Sequence, residues 1–174
     1  LSYSDKPLNI HIQPISRHLD LEHFDCGVPA LNDYLRKYAR QNHDRNIGKT
    51  FVAVENGKVF GFYTAVASEV DVQTIPPTHS KHLPRYPVPV MRIGRLAVDK
   101  HQQGRGIGEE LLWDALGKAH RLSREVGIYA VAVDAKDEMA VQFYNKYGFI
   151  PLSKNPRTLF LPIKTINVLF TKKQ

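Results

Sequence analysis

Cysteine is almost missing from this chain: Cys26 stands alone among 174 residues. A single thiol excludes an intramolecular disulfide and fits a reducing, cytoplasmic setting. Cys26 itself reads as a small buried hydrophobe rather than a nucleophile. Long apolar runs are missing too; none approaches the roughly 20 residues that span a bilayer, so no membrane partner is expected. The opening LSYSDKPLNIHIQ has no Met and none of the basic-then-apolar plan of a secretory leader, and no leader is expected. Metal-ligand patterns are equally thin. His79 and His82 have no third ligand and no HExxH beside them, so no metal is expected. Acidic residues are absent from Val72 through Val98, a stretch that holds Lys81, Arg85, Arg92 and Arg95.

What is present is positive charge. The net charge is +7, and a second basic cluster, Arg36, Lys37, Arg40, Arg45 and Lys49, is interrupted only by Asp44. Two acid-poor basic segments suit a polyanion such as RNA, the alternative being a merely solvated face. No repeat, low-complexity tract or linker divides the chain, so one domain over residues 1–174 is expected.

The hydrophobic pattern sets the element order. LNIHIQPI (8–15) alternates as a strand. From Pro29, the residues Leu31, Leu35, Tyr38 and Ala39 recur at helical spacing, with proline suited to the first turn. Residues 50–68 are two strands around Asn56-Gly57, a strong hairpin signal. The proline-rich stretch up to about Val90 is expected as loop, and VMRIGRLAVD (90–99) as a strand. Ile107, Leu111, Leu112, Ala115, Leu116, Ala119 and Leu122 form a helical stripe. IYAVAVDA (128–135) is an apolar strand, and EMAVQFYNKYG (138–148) a short helix closed by Gly148. FIPL and TLFLPIKTI supply the last strand material. The sum is a mixed α/β sheet.

Between the strand at 90–99 and the next helix lies HQQGRGIGEELL (101–112), with glycines at 104, 106 and 108. Glycines there let main-chain N–H groups point into one concavity, and the start of the next helix adds its unpaired N–H groups and dipole. A phosphate is the natural occupant, a plain turn the alternative. A dinucleotide fingerprint fails at Glu109, and a P-loop fails for want of Gly-Lys-Ser/Thr. What fits is Gln/Arg-x-x-Gly-x-Gly/Ala, here Gln103-Gly104-Arg105-Gly106-Ile107-Gly108. This pattern, after a strand ending RLAVD and ahead of FYNKYGF (143–149), resembles the coenzyme A loop of the GCN5-related N-acetyltransferases.

The resemblance implies that family's fold: a mixed, mostly antiparallel sheet of six to seven strands, about four helices, and splayed central strands. It also implies acetyl-CoA as cosubstrate. Backbone groups of Leu96, Ala97 and Val98 would pair with its pantetheine arm, with the Val98 N–H polarising the thioester carbonyl. Gln103, Gly104, Arg105, Gly106, Ile107 and Gly108 would hold its diphosphate. Tyr144 would meet the departing thiolate. A phenol near pKa 10 is a weaker acid than a thiol near 8.5, so hydrogen bonding with late proton transfer is its defensible role. Residues 90–98 contain no Asp, Glu or His to act as base. That favours a weakly basic amine, with Glu69 or Asp134 acting through water left open.

A narrower similarity runs from about residue 8 to the end. FDCGVPALNDYL, GRLAVD, VDAKDEMAVQFYNKYGF and LFLPIKTI look like the acetyltransferase toxins of bacterial type II toxin–antitoxin modules. This implies acetylation of the α-amino group of aminoacyl-tRNA, blocking translation. It further implies a homodimer and a ribbon–helix–helix antitoxin. Arg36, Lys37, Arg40, Arg45, Lys49, Arg92 and Arg95 are the candidate RNA contacts, expected to meet mostly phosphate and sugar. The same chemistry on a small amine or protein N-terminus, and a non-catalytic CoA-binding module, are the alternative readings.

Overall fold

Asn56 and Gly57 take φ values of 51° and 77°, the left-handed pair that a two-residue hairpin requires. They join β2 (Lys49–Glu55) to β3 (Lys58–Val70), which pair antiparallel with Phe51 opposite Tyr63 and Val52 opposite Phe62. β1 (His11–Pro14) pairs antiparallel with β2. The computed structural model describes residues 8–172; residues 1–7, part of the segment read for a leader, lie outside the described residues. The remaining strands are β4 (Val88–Val98), β5 (Ala130–Asp134), β6 (Ile150–Pro151) and β7 (Thr158–Pro162). The sheet order is β1-β2-β3-β4-β5-β7-β6. The β4–β5 pairing is parallel, over Val90–Ile93 against Ala130–Val133, while β5–β7 and β6–β7 are antiparallel. This is the expected mixed, mostly antiparallel sheet.

Chain contacts fall into two units. The first runs through Val66 and resumes at Gly94–Ala115. Its core gathers Phe24, Cys26, Tyr34, Leu35, Ala39, Val52 and Phe62. Phe24 meets Phe62 edge-on and Tyr34 stacks on it, with centroids 5.6 and 6.5 Å away. Cys26 is buried there. The helix expected from Pro29 is present but not uniform. α1 (Pro29–Asp33) passes into a π-helical turn, Tyr34–Tyr38, before α2 (Ala39–Asp44). The Ala39 N–H bonds back to the Tyr34 carbonyl, an i→i−5 closure. Such widened turns are rare and have no propensity signature, so periodicity alone reads straight through them.

The second unit comprises Ala67–Ile93 and the chain from Leu116 onward, around Val70, Ile75, Val88, Val90, Ala130, Ala132 and Phe160. The structure corrects three expectations in this unit. β4 begins at Val88, not Val90. Pro89 lacks an N–H, yet its carbonyl accepts from Tyr129 N at 2.8 Å, so proline interrupts donation without ending the strand. The proline-rich stretch holds a 3₁₀ turn, Val72–Thr74, and α3 (Pro77–Ser80), in which Pro77 occupies the tolerated first turn. The closing TLFLPIKTI is a strand only to Pro162; Ile163–Thr171 is helix α6. Ile163, Ile166 and Phe170 recur at i, i+3, i+7, and Ile166 is fully buried. A run rich in β-branched residues satisfies both periods when it is short.

α4 (Ile107–Leu122) buries the predicted stripe from Ile107 to Ala119, while Leu122, in its last turn, is exposed. α5 (Glu138–Lys146) is capped by Asp137, whose carboxylate accepts from Ala140 N at 2.8 Å. It closes on Gly148, φ 89°, with Phe149 N donating to Tyr144 O. Among the described residues, no helix is long and apolar enough to cross a membrane.

Candidate functional site

In the first unit, β4 ends in Leu96, Ala97 and Val98 and delivers the chain to Asp99, which is buried. Asp99 shapes the loop that leaves the strand. Its N–H donates to the Phe60 carbonyl at 2.8 Å, and its carbonyl accepts from Gln102 N at 2.9 Å. Its carboxylate accepts the N–H of His101 at 2.9 Å and of Asp25 at 3.1 Å. The loop then reaches Gly104 and Gly106 at φ 80° and 81°, conformations that L side chains rarely adopt. A Cβ built on either meets nothing within 4 Å. These glycines are therefore needed for backbone conformation, and the space beside them is open. Ile107 is buried and starts α4, while Gln103 is exposed.

Arg105 donates from Nη1 to Gln102 Oε1 at 2.6 Å, but its Nε is buried without a hydrogen-bond partner. A buried, unmatched donor of this kind costs about 1–3 kcal/mol, more on a charged group. An anion at the loop would satisfy it. Open glycines at positive φ, a helix N-terminus and an orphaned guanidinium donor together fit a diphosphate. Gly61 fixes how near α4 comes. Its missing Cβ would lie 2.9 Å from Leu111 Cδ1, 3.1 Å from the Ala97 carbonyl oxygen and 3.2 Å from Ile107 Cγ2.

The same unit carries six of the seven basic candidates. Arg36, Lys37 and Arg40 line a groove of about 360 Å³ together with Arg17, Leu19 and Leu21. Arg17 did not stand out in the sequence, being isolated from the basic cluster by a dozen and more positions. Arg36 donates to the Phe24 carbonyl at 2.8 Å, and Lys37 lies 3.5 Å from Asp33. Arg45 and Lys49 are exposed outside that groove, Lys49 Nζ donating to the His43 carbonyl at 3.0 Å. The Arg95 guanidinium sits 3.7 Å over the Tyr34 ring, a cation–π contact.

In the second unit, Tyr144 projects from α5 and is buried, its ring edge-on to Phe143 and Phe149. Burial, with the charge of Asp134 adding to it, pushes its phenol well above the ordinary tyrosine value. The hydroxyl thus stays protonated and able to donate. Asp134 is itself engaged: Oδ1 accepts from Arg92 Nη1 at 2.8 Å and from Thr158 Oγ1 at 3.1 Å. Arg92 also donates from Nε to Ser68 Oγ. Glu69, the other residue considered as a base, is exposed on β3. His79 packs edge-on against Phe160, and among the described residues no group of three His, Cys, Asp or Glu side chains could hold a metal.

A family model described as the acetyltransferase (GNAT) family matches residues 14–149. The chain is 37% identical over 150 residues to a tRNA-acetylating toxin of Mycobacterium tuberculosis, covering 86% of this chain and 90% of the relative. The structure of AtaT complexed with acetyl-methionyl-tRNAfMet superposes with a TM-score of 0.87 at 33% identity, covering 93% of this chain and 99% of that one. A mutant AtaT toxin bound to acetyl-CoA and the C-terminus of the antitoxin AtaR gives 0.80 at 32% identity, over 94% and 99%. The match of family model and relatives over most of the sequence leads to one conclusion: the chain belongs to the acetyltransferase (GNAT) family.

Proposed function

We propose that this chain is the toxin of a type II toxin–antitoxin pair, one catalytic domain that moves the acetyl group of acetyl-CoA onto the α-amino group of aminoacyl-tRNA. Translation stops because an acylated amine cannot serve as the nucleophile for peptide bond formation. The observation that carries the reading is the loop at 99–108, where open positive-φ glycines and the unmatched Arg105 Nε fit a diphosphate. The relatives support the acceptor: one is a tRNA-acetylating toxin, and a structural neighbour is complexed with an acetylated aminoacyl-tRNA.

Acetyl-CoA supplies an activated acyl carbon; the amine nitrogen bonds to it, the C–S bond breaks with its electron pair leaving on the sulfur, and one amine proton passes to water. The chain's part is orientation and charge placement. Gln103, Gly104, Arg105, Gly106, Ile107 and Gly108 hold the diphosphate, and the backbone of Leu96, Ala97 and Val98 aligns the arm. The Val98 N–H donates to the carbonyl oxygen as charge develops there. Tyr144, kept protonated by burial, donates a hydrogen bond to the sulfur as it leaves. No strong base is required for an α-amino group, whose pKa of about 7.7–8.0 leaves roughly a tenth or more of it neutral at pH 7, and esterification to a nucleotide lowers that pKa further by withdrawing electrons. Arg36, Lys37, Arg40, Arg45, Lys49 and Arg95 provide the cationic surface for RNA phosphates, and Arg92 serves through its pairing with Asp134.

The toxin works in the cytoplasm as a homodimer, with an antitoxin of ribbon–helix–helix type as its neutralising partner. A structural neighbour bound to the C-terminus of its antitoxin supports a protein partner of that role. The deciding experiment is incubation with acetyl-CoA and bulk aminoacyl-tRNA, followed by mass identification of N-acetylated products. Acetyl on the aminoacyl ester supports the proposal. Acetyl found only on polyamines or peptides overturns it.

A further inference from the structure

Asp25 sits in FDCGVPALN, well away in sequence from the glycine loop, yet it contacts that loop from both its backbone and its side chain. Its N–H donates to Asp99 Oδ2 at 3.1 Å, and its carbonyl accepts from Lys100 N at 2.8 Å. Its carboxylate pairs with Lys100 Nζ at 2.9 Å. The other carboxylate oxygen accepts from Gly27 N and Asn32 Nδ2, each at 2.9 Å. Asn32 in turn accepts from Cys26 N through Oδ1 at 2.9 Å, which fixes the segment to the start of the basic helical region. Lys100, Gly27 and Asn32 hold the Asp25 carboxyl well below the usual carboxylate range.

We infer that Asp25 is a positioning residue for the diphosphate loop: through Lys100 and Asp99 it fixes the residues that lead into Gly104 and Gly106. The inference rests on the proposed acetyl-CoA reading of that loop. Asp25 does not touch the donor. It sets the path of the chain at 99–102, and His101 and Gln102 are then locked to Asp99. Preorganised donors bind an anion without having to order themselves, so loosening this segment weakens binding without removing any contact to the ligand. Both side chains of the Asp25–Lys100 pair are about half exposed, and exposed pairs add little to global stability. Its consequence is therefore local.

The test compares two acyl donors, acetyl-CoA and S-acetylpantetheine, which lacks the diphosphate. In Asp25→Ala, affinity for CoA by calorimetry falls about tenfold, the loss expected for one charge-assisted bond. KM for acetyl-CoA rises in step while kcat at saturation holds, and kcat/KM with S-acetylpantetheine is unchanged. Asp25→Asn keeps an acceptor for Gly27 or Asn32 and recovers part of the affinity; it also decides the matter should the alanine variant fail to fold. Unchanged CoA affinity overturns the inference, and so does an equal loss with both donors, which marks a general structural role. If the wild-type chain itself binds no CoA, it is the proposed function that fails.

Discussion

Arg92 Nη1 lies 2.8 Å from Asp134 Oδ1, and the same oxygen accepts from Thr158 Oγ1 at 3.1 Å. A carboxylate held this way is a poor candidate for a base, because the oxygen that would take a proton is already occupied by a guanidinium and a hydroxyl. It acts instead on Tyr144, whose pKa it helps to raise, burial being the larger cause. Asp134→Asn should bring the Tyr144 phenol only part of the way back toward the ordinary value, as read by NMR titration of labelled tyrosine. Turnover should stay within about threefold of wild type, against the 100-fold or more lost with a general base. Loss of that larger size, with disappearance of the acid limb of the pH profile, would restore Asp134 as the base.

Tyr144→Phe separates binding from chemistry. The variant keeps the buried ring and loses only the hydroxyl, so acetyl-CoA affinity should stay within about twofold, while kcat falls by about 100-fold. The sign of the pKa shift sets the pH dependence. With its pKa raised, Tyr144 remains a donor at alkaline pH where an ordinary phenol, near 10, begins to ionise. The wild-type rate should rise as the acceptor ammonium loses its proton, below the roughly 7.7–8.0 of a free α-amino group because the ester withdraws electrons, and, with Tyr144 still protonated, show no descending limb by about pH 9.5. A fall centred near pH 9 would mean that the hydroxyl titrates earlier than its burial allows.

The basic groove makes a quantitative claim about salt. If Arg36, Lys37 and Arg40 neutralise phosphates, log KM for charged tRNA climbs with log salt, and each alanine substitution lowers the slope by about one unit. Arg92→Ala should leave the slope alone, since that guanidinium is already spoken for by Asp134 and Ser68. Steady-state KM measured from 50 to 200 mM salt checks both statements. A slope near zero in the wild type removes the RNA surface altogether.

The features that the sequence made legible are those written in short-range chemistry. Asn56-Gly57 could only be a tight turn, and Gly148 only a helix end. Of the three glycines read as an open backbone loop, 104 and 106 stand at positive φ with open space beside them, whereas Gly108 lies in the first turn of α4. The π-turn at Tyr34–Tyr38 was hidden because buried residues on both sides keep a helical rhythm. The helix after Pro162 was hidden because Ile, Thr and Val suit a strand equally well. The Asp25–Lys100 and Asp25–Asp99 contacts were out of reach, since partners 74 positions apart for Asp25 and Asp99 carry no shared pattern. Two local traces were nonetheless there. Asp25-Cys26-Gly27 and Asp99-Lys100-His101 each place an Asp carboxylate on the N–H two residues later, the Asx turn that such sequences favour.

Gly104 and Gly106 can be separated from mere backbone strain by a matched control. Gly57 has φ 77°, and like them its Cβ would meet nothing within 4 Å. Alanine at any of the three should cost stability by a similar amount, about 1 kcal/mol, read by denaturant unfolding. Only Gly104→Ala and Gly106→Ala should also weaken CoA binding, because only there does a methyl enter the space proposed for a phosphate. Equal CoA affinity across the three variants would mean that the open space beside the loop is not used.

Gly61 tests the opposite case, a glycine kept for lack of room. A methyl at this position meets Leu111 Cδ1, which can swing aside, but also the Ala97 carbonyl oxygen, which is backbone of β4 and cannot yield cheaply. Crowding of this kind costs about 1–3 kcal/mol, so Gly61→Ala should melt several degrees below wild type. Because the contacts include Ile107, the first residue of α4, the strain is relieved by moving the helix start away from β3. CoA affinity should therefore fall by more than in Gly57→Ala, which carries a comparable loss of stability but lies at the hairpin. A Gly61→Ala protein with lowered Tm and wild-type CoA affinity would show that the position of α4 relative to β3 is not what sets the geometry of the loop.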